Sequence, residues 1–467
     1  MDLFNAGVDA VNNVLWSYVL IVVLVGCGLY FTFSTRFVQL RMLPEMLRLL
    51  TEGIGKKTEG HAISSFQAFC VSTASRVGVG NIAGVAIAIV TGGPGAVFWM
   101  WVIAFLGCAT GFVESTLAQI YKLPRGGGKF HGGPAYYINN ALHQSGVAKL
   151  FAMLISVTFG LVYVSVQANT IALSAQTIGI DPAVTAAFLC LFTALVICGG
   201  LHRIAKVTEF LVPVMAGLYL LVALVIVILH ISQVPAMFAL IFHDAFSPQA
   251  AVGGGLGTAV LTGVKRGLFS NEAGEGSVPN AAATADVSHP VKQGLVQSFG
   301  VYVDTWIVCS ATAFIVLLTG QYTVGGDLTG IALAQASLAS VFGSLAPVAV
   351  AFMILLFAFS SIVGNYYYGE INIAFFEGNT HRYLLVFRVG VVLMVLFGSL
   401  AALQLVWNLA DLFMGLLCLT NLYAITRLAP YARRALIDYQ SKRARGEDPQ
   451  FSAKDIDVRD GVYAWKE

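Results

Sequence analysis

The sequence predicts an all-α polytopic membrane protein of eleven transmembrane helices: one N-terminal helix, then two five-helix sets entering the membrane from opposite faces. Three observations carry this. Apolar runs of membrane-crossing length fill the chain, basic residues fall on alternate loops, and two apolar stretches are broken at matching places by small and polar residues. The 467 residues are 57% hydrophobic and 11% charged, with a mean hydropathy of +0.79. Soluble domains run at roughly 45–50% apolar and about 25% charged.

A crossing helix needs about 20 apolar residues. Such runs cover 14–33, 64–90, 96–120, 150–178, 184–201, 210–231, 253–285, 295–319, 346–376, 384–401 and 406–427. Several exceed the crossing length, as tilted or broken helices do. The first lacks the basic flank of a cleaved signal peptide.

Arg36, Arg41, Arg48, Lys56 and Lys57 follow the first run, and Lys122, Arg125, Lys129 and Lys149 follow the third. Arg203 and Lys206 follow the fifth, Lys292 the seventh, Arg382 the ninth, and Arg427 through Lys466 the last. The alternate loops, including 232–252 and 320–345, contain no Lys or Arg. By the positive-inside rule the N-terminus is outside and the C-terminus cytoplasmic, in a cell membrane. The organisation is then 1–63 (first helix and an interfacial segment), 64–231 and 253–427 (the two repeats), and 428–467 (a charged cytoplasmic tail). Residues 36–50 mix basic and apolar side chains and suit the membrane interface, in short helical pieces because of Pro44. The loop 125–129 reads as flexible and polar.

The seven cysteines lie in apolar spans and read as small buried hydrophobes. The eight histidines show no ligand spacing, so no structural or catalytic metal is expected. No convergent nucleophile–base set appears, so the chain does not read as an enzyme.

The first break is Ser75-Arg76-Val77-Gly78-Val79-Gly80-Asn81, and the second runs from Gly267 to Gly276. Lipid cannot satisfy non-helical backbone, so such breaks line buried or watery cavities. Paired breaks point to the central site of a secondary transporter. Gly84 and Gly92 are explained by helix packing, but Arg76 and Asn81 beside Gly78 and Gly80 are polar groups at membrane depth and favour a site. Gly78 to Ala83 also fits a dinucleotide fingerprint, without the strand that motif needs. Lys265 and Arg266, pairing Glu272, Glu275 or Asp304, read as a gate network more than as ligand contacts. Gln167, Asn169, Ser360, Ser361 and Asn365 are further polar groups in apolar spans; Glu114, Glu370, Arg388 and Asp411 read as structural pairs or cytoplasm-facing groups. The cluster Tyr366-Tyr367-Tyr368 fits a gate, a core or an interface belt.

The stretch Gly92-Gly93-Pro94-Gly95-Ala96-Val97-Phe98-Trp99-Met100-Trp101 resembles the signature of the alanine/glycine:cation symporter family, the sodium:alanine symporters. Val77 to Ala86 and Gly267 to Gly274 resemble its two broken-helix motifs, Gly132 to Tyr137 one of its loops, and the resemblance runs from about Leu3 to Arg427. It implies a LeuT-like five-plus-five inverted repeat preceded by one extra helix, and Na⁺-driven import of small neutral amino acids by alternating access, in a bacterial inner membrane. No organic cofactor is implied, only Na⁺ as coupling ion. By analogy, carbonyls near Ala74 and Val77, with Ser360 and Ser361, form a sodium site. Arg76, Gly78, Gly80, Asn81, Gln167, Phe269, Ser270 and Asn271 surround the substrate.

Many relatives have a small residue where this chain has Arg76, although some carry Arg. An Arg there either steers a carboxylate or carboxamide, which raises glutamine as a substrate beside alanine and glycine, or pairs with an acid away from the pocket. Span 210–231 lacks the Lys that stands in for sodium in some proton-driven relatives of this fold, which favours Na⁺. A cation channel and a proton-coupled amino-acid transporter are the rival readings, since broken helices also build ion filters.

Overall fold

A Ser-x-x-Gln capping box, in which Ser64 and Gln67 bond each other's backbone N–H groups, starts the helix that runs into the first break. The computed structural model describes residues 2–54, 63–126, 128–197, 201–247, 257–376, 380–458 and 460–465; Lys56, Lys57, Cys198 and Lys466, the end of the fifth run and the start of the seventh lie outside them.

The helices are α1 (Ala6–Ser34), α2 (Leu43–Gly53), α3 (Ser65–Arg76), α4 (Gly80–Gly92), α5 (Gly95–Ile120), α6 (Pro134–Leu142), α7 (Ser145–Gln176) and α8 (Pro182–Ile197). Then follow α9 (Thr208–Leu229), α10 (Val234–Ala245), α11 (Thr258–Asn271), α12 (Val278–Ala282), α13 (Pro290–Thr319), α14 (Gly330–Phe342), α15 (Ala346–Ile373), α16 (His381–Leu400) and α17 (Leu403–Ala444). Eight of these are long and apolar enough to cross a membrane among the described residues, or nine when α3 and α4, bent by 51° at their break, count as one span. The sequence's seventh run is divided between α11 and α12, and its fifth gives the shorter α8.

Small residues decide the close packing. A Cβ at Gly95 would collide with the backbone at the end of α10, and one at Gly263 with the Ala96 backbone. The glycine-rich stretch at 92–96 therefore lets α5 lie directly on α10 and α11. Helix α5 packs most extensively on α11 and α13, while α7 packs on α15 and α16. Helix α1 lies against α5 and α17, with Trp16 fully buried and its Nε1 donating to the Asp411 carbonyl at 3.1 Å.

The last helix continues past the apolar span 406–427 to Ala444, because Ala432, Ala435, Leu436 and Tyr439 form a buried stripe along its extension. The tail beyond it is docked: Phe451 N donates to Ser288 O at 2.9 Å, and Trp465 Nε1 donates to Gln119 O at 2.9 Å. The loop around 125–129 is closed by a two-stranded hairpin, Leu123–Pro124 with Phe130–His131. Burial holds the His131 imidazole there at about 4, well below the usual range, with Arg125 and Lys129 adding to the effect.

Candidate functional site

Helix α3 ends at Arg76, and the backbone leaves the helical path at Val77 and Gly78 before α4 opens with a wide π-type turn at Gly80–Gly84. Two more such turns, at Thr158–Tyr163 in α7 and Tyr302–Cys309 in α13, bring their side chains to the same region. Wide turns inside helices re-aim side chains and are frequent at functional sites.

In the first break, Gly78 N donates to Asn81 Oδ1 at 2.9 Å and Val79 N to Gln167 Oε1 at 3.2 Å. Side chains thus supply partners that the broken helix lacks. A Cβ at Gly80 would meet the Phe269 ring at 2.9 Å, so the two breaks touch here. Ser361 Oγ donates to Ala74 O at 2.8 Å. Ser360 instead bonds Phe357 O within its own helix, beside Met215 of α9.

In the second break α11 ends at Asn271, whose Oδ1 caps Ala273 N at 3.0 Å. Glu272 takes a left-handed conformation (φ 56°), which turns the chain out of the helix. Its carboxylate accepts from Ser277 Oγ at 2.6 Å and from Ser75 Oγ at 2.9 Å, tying one break to the other. Gly274 (φ 97°) takes a conformation that glycine adopts freely; its N–H donates to Glu114 Oε1 at 3.2 Å, and its carbonyl accepts from Asn421 Nδ2 at 2.9 Å.

Between the breaks sits a compact polar group. Asn81 Nδ2 donates to Asp304 Oδ1 at 2.6 Å and to Ser270 Oγ at 3.0 Å. Ser270 and Thr305 donate to Asp304 Oδ2 at 2.7 and 2.8 Å. Tyr163 donates to Glu275 Oε2 at 3.1 Å, and Glu275 Oε1 has no partner. Glu114, Glu272, Glu275 and Asp304 are all buried, and among the described residues none has a basic side chain within ion-pair distance. The region is rich in carboxylates held by hydroxyl and amide donors rather than by cations.

The Tyr163, Phe269 and Trp407 rings form a stack, with successive centroids 4.7 Å apart. The Arg266 guanidinium lies 4.6 Å from the Trp407 ring and is bonded to Asp411, which Lys265 also approaches at 3.8 Å. This cap lies nearer the face without basic loops. At the other face, Asp286 N donates to Ile63 O at 2.9 Å, joining the start of α3 to the segment after α12. These contacts lie to either side of the region between the breaks.

Two readings of the sequence therefore change. Lys265 and Arg266 pair Asp411, not Glu272, Glu275 or Asp304. Helical side chains lean toward the helix N-terminus, which carries these two away from the carboxylates beyond Asn271. Arg76 meets neither pocket nor acid: its guanidinium donates to Gln297 Oε1 at 2.9 Å and Ser72 Oγ at 3.1 Å, flat against Gly300 of α13. Gly78, Gly80, Asn81, Gln167, Phe269 and Ser270 are brought together, whereas Asn271 is occupied as a cap and by Thr305. Glu370 pairs Arg388 at 3.2 Å, and Asn169 bonds Gly398 O and Ala401 O, away from the breaks. Sequence reasoning did not single out Tyr163, Thr305, Cys309 and Trp407, which contact the residues between the breaks, and gave Asp304 only a gate role. Asp304 alone had a signal, a carboxylate inside an apolar span.

Residues 1–453 match the sequence model of the sodium:alanine symporter family. The chain is 50% identical to the probable sodium/glutamine symporter GlnT of Bacillus subtilis, over 98% of this chain and 95% of that protein. It is 39% identical to the sodium/alanine symporter AgcS of Methanococcus maripaludis, over 91% and 95%. Among solved structures it resembles MhsT in complex with L-phenylalanine, with a TM-score of 0.57 at 12% identity over 86% of this chain and 94% of that one. That likeness is one of fold, the fold of LeuT-like transporters.

Proposed function

We propose that this chain, which belongs to the sodium:alanine symporter family, imports a small neutral amino acid together with Na⁺ by alternating access. It crosses the membrane eleven times, with its basic loops and C-terminal tail in the cytoplasm. The observation that carries the reading is the group of buried carboxylates without cation partners around two broken helices. A zwitterion brings an ammonium and a carboxylate to such a place, and Na⁺ brings a positive charge that wants oxygen ligands.

The substrate sits between the breaks, against Gly78, Gly80 and Phe269, and enters by displacing the side chains that crowd the two glycines, Ser361 and Gln167 at Gly78 and the Phe269 ring at Gly80. Its carboxylate faces the N–H groups that lead into α4, a helix N-terminus, in place of the Asn81 and Gln167 oxygens that accept from Gly78 and Val79. Its ammonium faces carbonyls at the end of α11 and the Asp304 group. Gln167 and Ser270 line the same space. Na⁺ takes the carbonyls of Ala74 and Val77 with the Ser361 hydroxyl, and Ser360 joins when its hydroxyl turns from Phe357 O. The Arg266–Asp411 pair over the Phe269–Trp407 stack is the outer gate, and the Ile63–Asp286 contact is part of the inner seal. Opening one while the other holds gives access to one side at a time; ligand binding shifts the balance only by its differential affinity for the two states.

Arg76 serves to hold α3 to α13, so substrate choice among alanine, glycine and glutamine falls to Gln167, Phe269 and the Asp304 group. The 50% identity to a named glutamine symporter keeps glutamine beside alanine as a substrate. The test is uptake of labelled alanine, glycine and glutamine into proteoliposomes with and without an inward Na⁺ gradient. Accumulation above equilibrium only with Na⁺ is expected. Accumulation driven by a pH gradient alone, or ion current without amino acid, would overturn the assignment in favour of a proton-coupled carrier or a channel.

A further inference from the structure

Where α1 ends, the chain makes a turn through two consecutive left-handed residues, Arg36 (φ 54°) and Phe37 (φ 57°). Non-glycine residues are disfavoured in that region and persist there only where their surroundings enforce it. The turn leaves Arg36 exposed beside a cavity of about 510 Å³ between the end of α1 and the extension of α17. Three guanidinium groups line it, from Arg36, Arg41 and Arg433, with the hydroxyls of Ser34 and Ser441 and the Gln440 amide.

No carboxylate lines this cavity. Glu45, in the neighbouring α2, is already held by Arg48 at 2.8 Å, by Tyr439 at 2.6 Å and by Arg443 at 3.3 Å. Arg41 donates to the Thr35 and Arg36 carbonyls, which fixes its position and leaves its remaining N–H groups free to serve the cavity. Arg36 and Arg433 have no ion-pair partner among the described residues. Three positive groups thus converge, uncompensated, on one concave space.

Its depth in the membrane chooses the ligand. Ser34 is the last residue of a crossing helix, so the cavity lies at the boundary between hydrocarbon and water. Phe33, Leu40 and Ile437 around it are each more than half exposed, a surface suited to acyl chains. We infer that this cavity binds the headgroup of an anionic glycerophospholipid, its phosphodiester held by Arg36, Arg41 and Arg433 and its acyl chains lying against α1. A basic pocket between helices on this face is the kind of site that takes anionic headgroups. A bound lipid here would bridge α1 and α17, the helix that carries Asp411 of the outer gate.

The experiment is native mass spectrometry of the full chain titrated with phosphatidylglycerol, phosphatidylcholine or inorganic phosphate. Selective retention of phosphatidylglycerol is expected, unaffected by millimolar phosphate. Each guanidinium near an anionic surface is worth about fivefold in binding, so Arg36→Gln with Arg433→Gln should weaken retention roughly thirtyfold. Arg125→Gln with Lys129→Gln removes the same charge elsewhere on this face and should leave retention unchanged. Arg433→Gln alone, on the surface of a helix, keeps the test available if the turn at Arg36 does not tolerate substitution, with about a fivefold loss expected. Equal retention by the cavity variant and the loop variant overturns the inference. So does displacement of the lipid by inorganic phosphate, which would make this a free-anion site.

Discussion

Replacing Gly78 by alanine probes the tightest point between the proposed ion and substrate sites. A Cβ there would stand 3.0 Å from Gln167 Oε1, 3.1 Å from Ser361 Cβ, and inside contact distance of Ser361 Oγ. Optimal carbon contacts lie at about 3.5–4.0 Å, so Gln167 and the α15 backbone must each retreat by several tenths of an ångström. The Ser361 hydroxyl must leave Ala74 O, to which it donates at 2.8 Å. Overpacking of this kind costs about 1–3 kcal/mol. Borne by the ion-bound state, it raises the Na⁺ concentration for half-maximal uptake by roughly 5- to 150-fold. Gly84→Ala is the control: its Cβ meets nothing nearer than the Trp407 ring at 3.4 Å, an ordinary contact, and its Na⁺ dependence should match the wild type. Gly78→Ala combined with Ser361→Gly restores room without restoring the hydroxyl, so it should regain thermal stability and keep the weak Na⁺ response. If Gly78→Ala and Gly84→Ala need the same Na⁺ concentration in proteoliposome uptake, the reasoning about Ser361 and Ala74 fails.

Asp411→Ala leaves the buried Arg266 without its partner, and removal of one member of such a pair costs about 3–5 kcal/mol; a lowered melting temperature of the purified protein is expected, and an unchanged one refutes the gate pairing. Arg76→Ala should reduce stability while leaving the ranking of alanine, glycine and glutamine uptake as it was, because the guanidinium serves Gln297 and Ser72; a reordered ranking would return Arg76 to the pocket. His131 titrates near 4 in the folded hairpin and near 6.5 when unfolded, so the folded state binds fewer protons between those values. Stability contributed by the neutral ring is complete above about 6.5 and is lost as pH falls toward 4. Limited proteolysis of the 123–131 hairpin should therefore speed up over that window, and His131→Asn should flatten the dependence; a wild-type profile in that variant removes His131 as its source.

The two breaks were legible because glycine and polar residues inside apolar runs have few explanations in lipid, and Gly78, Gly80, Asn81 and Ser270 do meet. What joins them was not legible. Arg266 finds Asp411, 145 positions away, rather than the nearby Glu272, because side-chain direction along α11 and the arrival of α17 decide the pairing. Arg76 likewise finds Gln297 on α13, a partner that no local pattern marks. The extension of α17 was legible and overlooked: Ala432, Ala435, Leu436 and Tyr439 recur at helical spacing beneath the charges of Arg433 and Arg434. The wide turns of α7 and α13 have no sequence signature here, so Tyr163 and Asp304 could not be aimed at the pocket from the sequence alone.

The distribution of charge across the depth of the protein makes a mechanistic argument of its own. At the cap proposed as the outer gate, Lys265 and Arg266 meet Asp411, and Asp9 of α1, which accepts from Asn408 Nδ2 at 2.6 Å, adds a second carboxylate near Lys265. Deeper, Asp304, Glu272, Glu275 and Glu114 are buried with no basic partner in contact among the described residues; Asn81, Ser270, Ser75 and Gly274 N donate to them from the breaks, and Ser277, Thr305, Tyr163 and Asn421 from outside. In the proposed cycle, cation and amino acid reach the deep carboxylates once the Arg266–Asp411 pair parts. The polar groups proposed to receive the cargo also tie α3, α11 and α13 together. On that proposal, cation and zwitterion replace some of those internal bonds and free the helices at the two breaks to move. Ion and amino acid then act on one set of contacts, which gives their binding a common free energy to share.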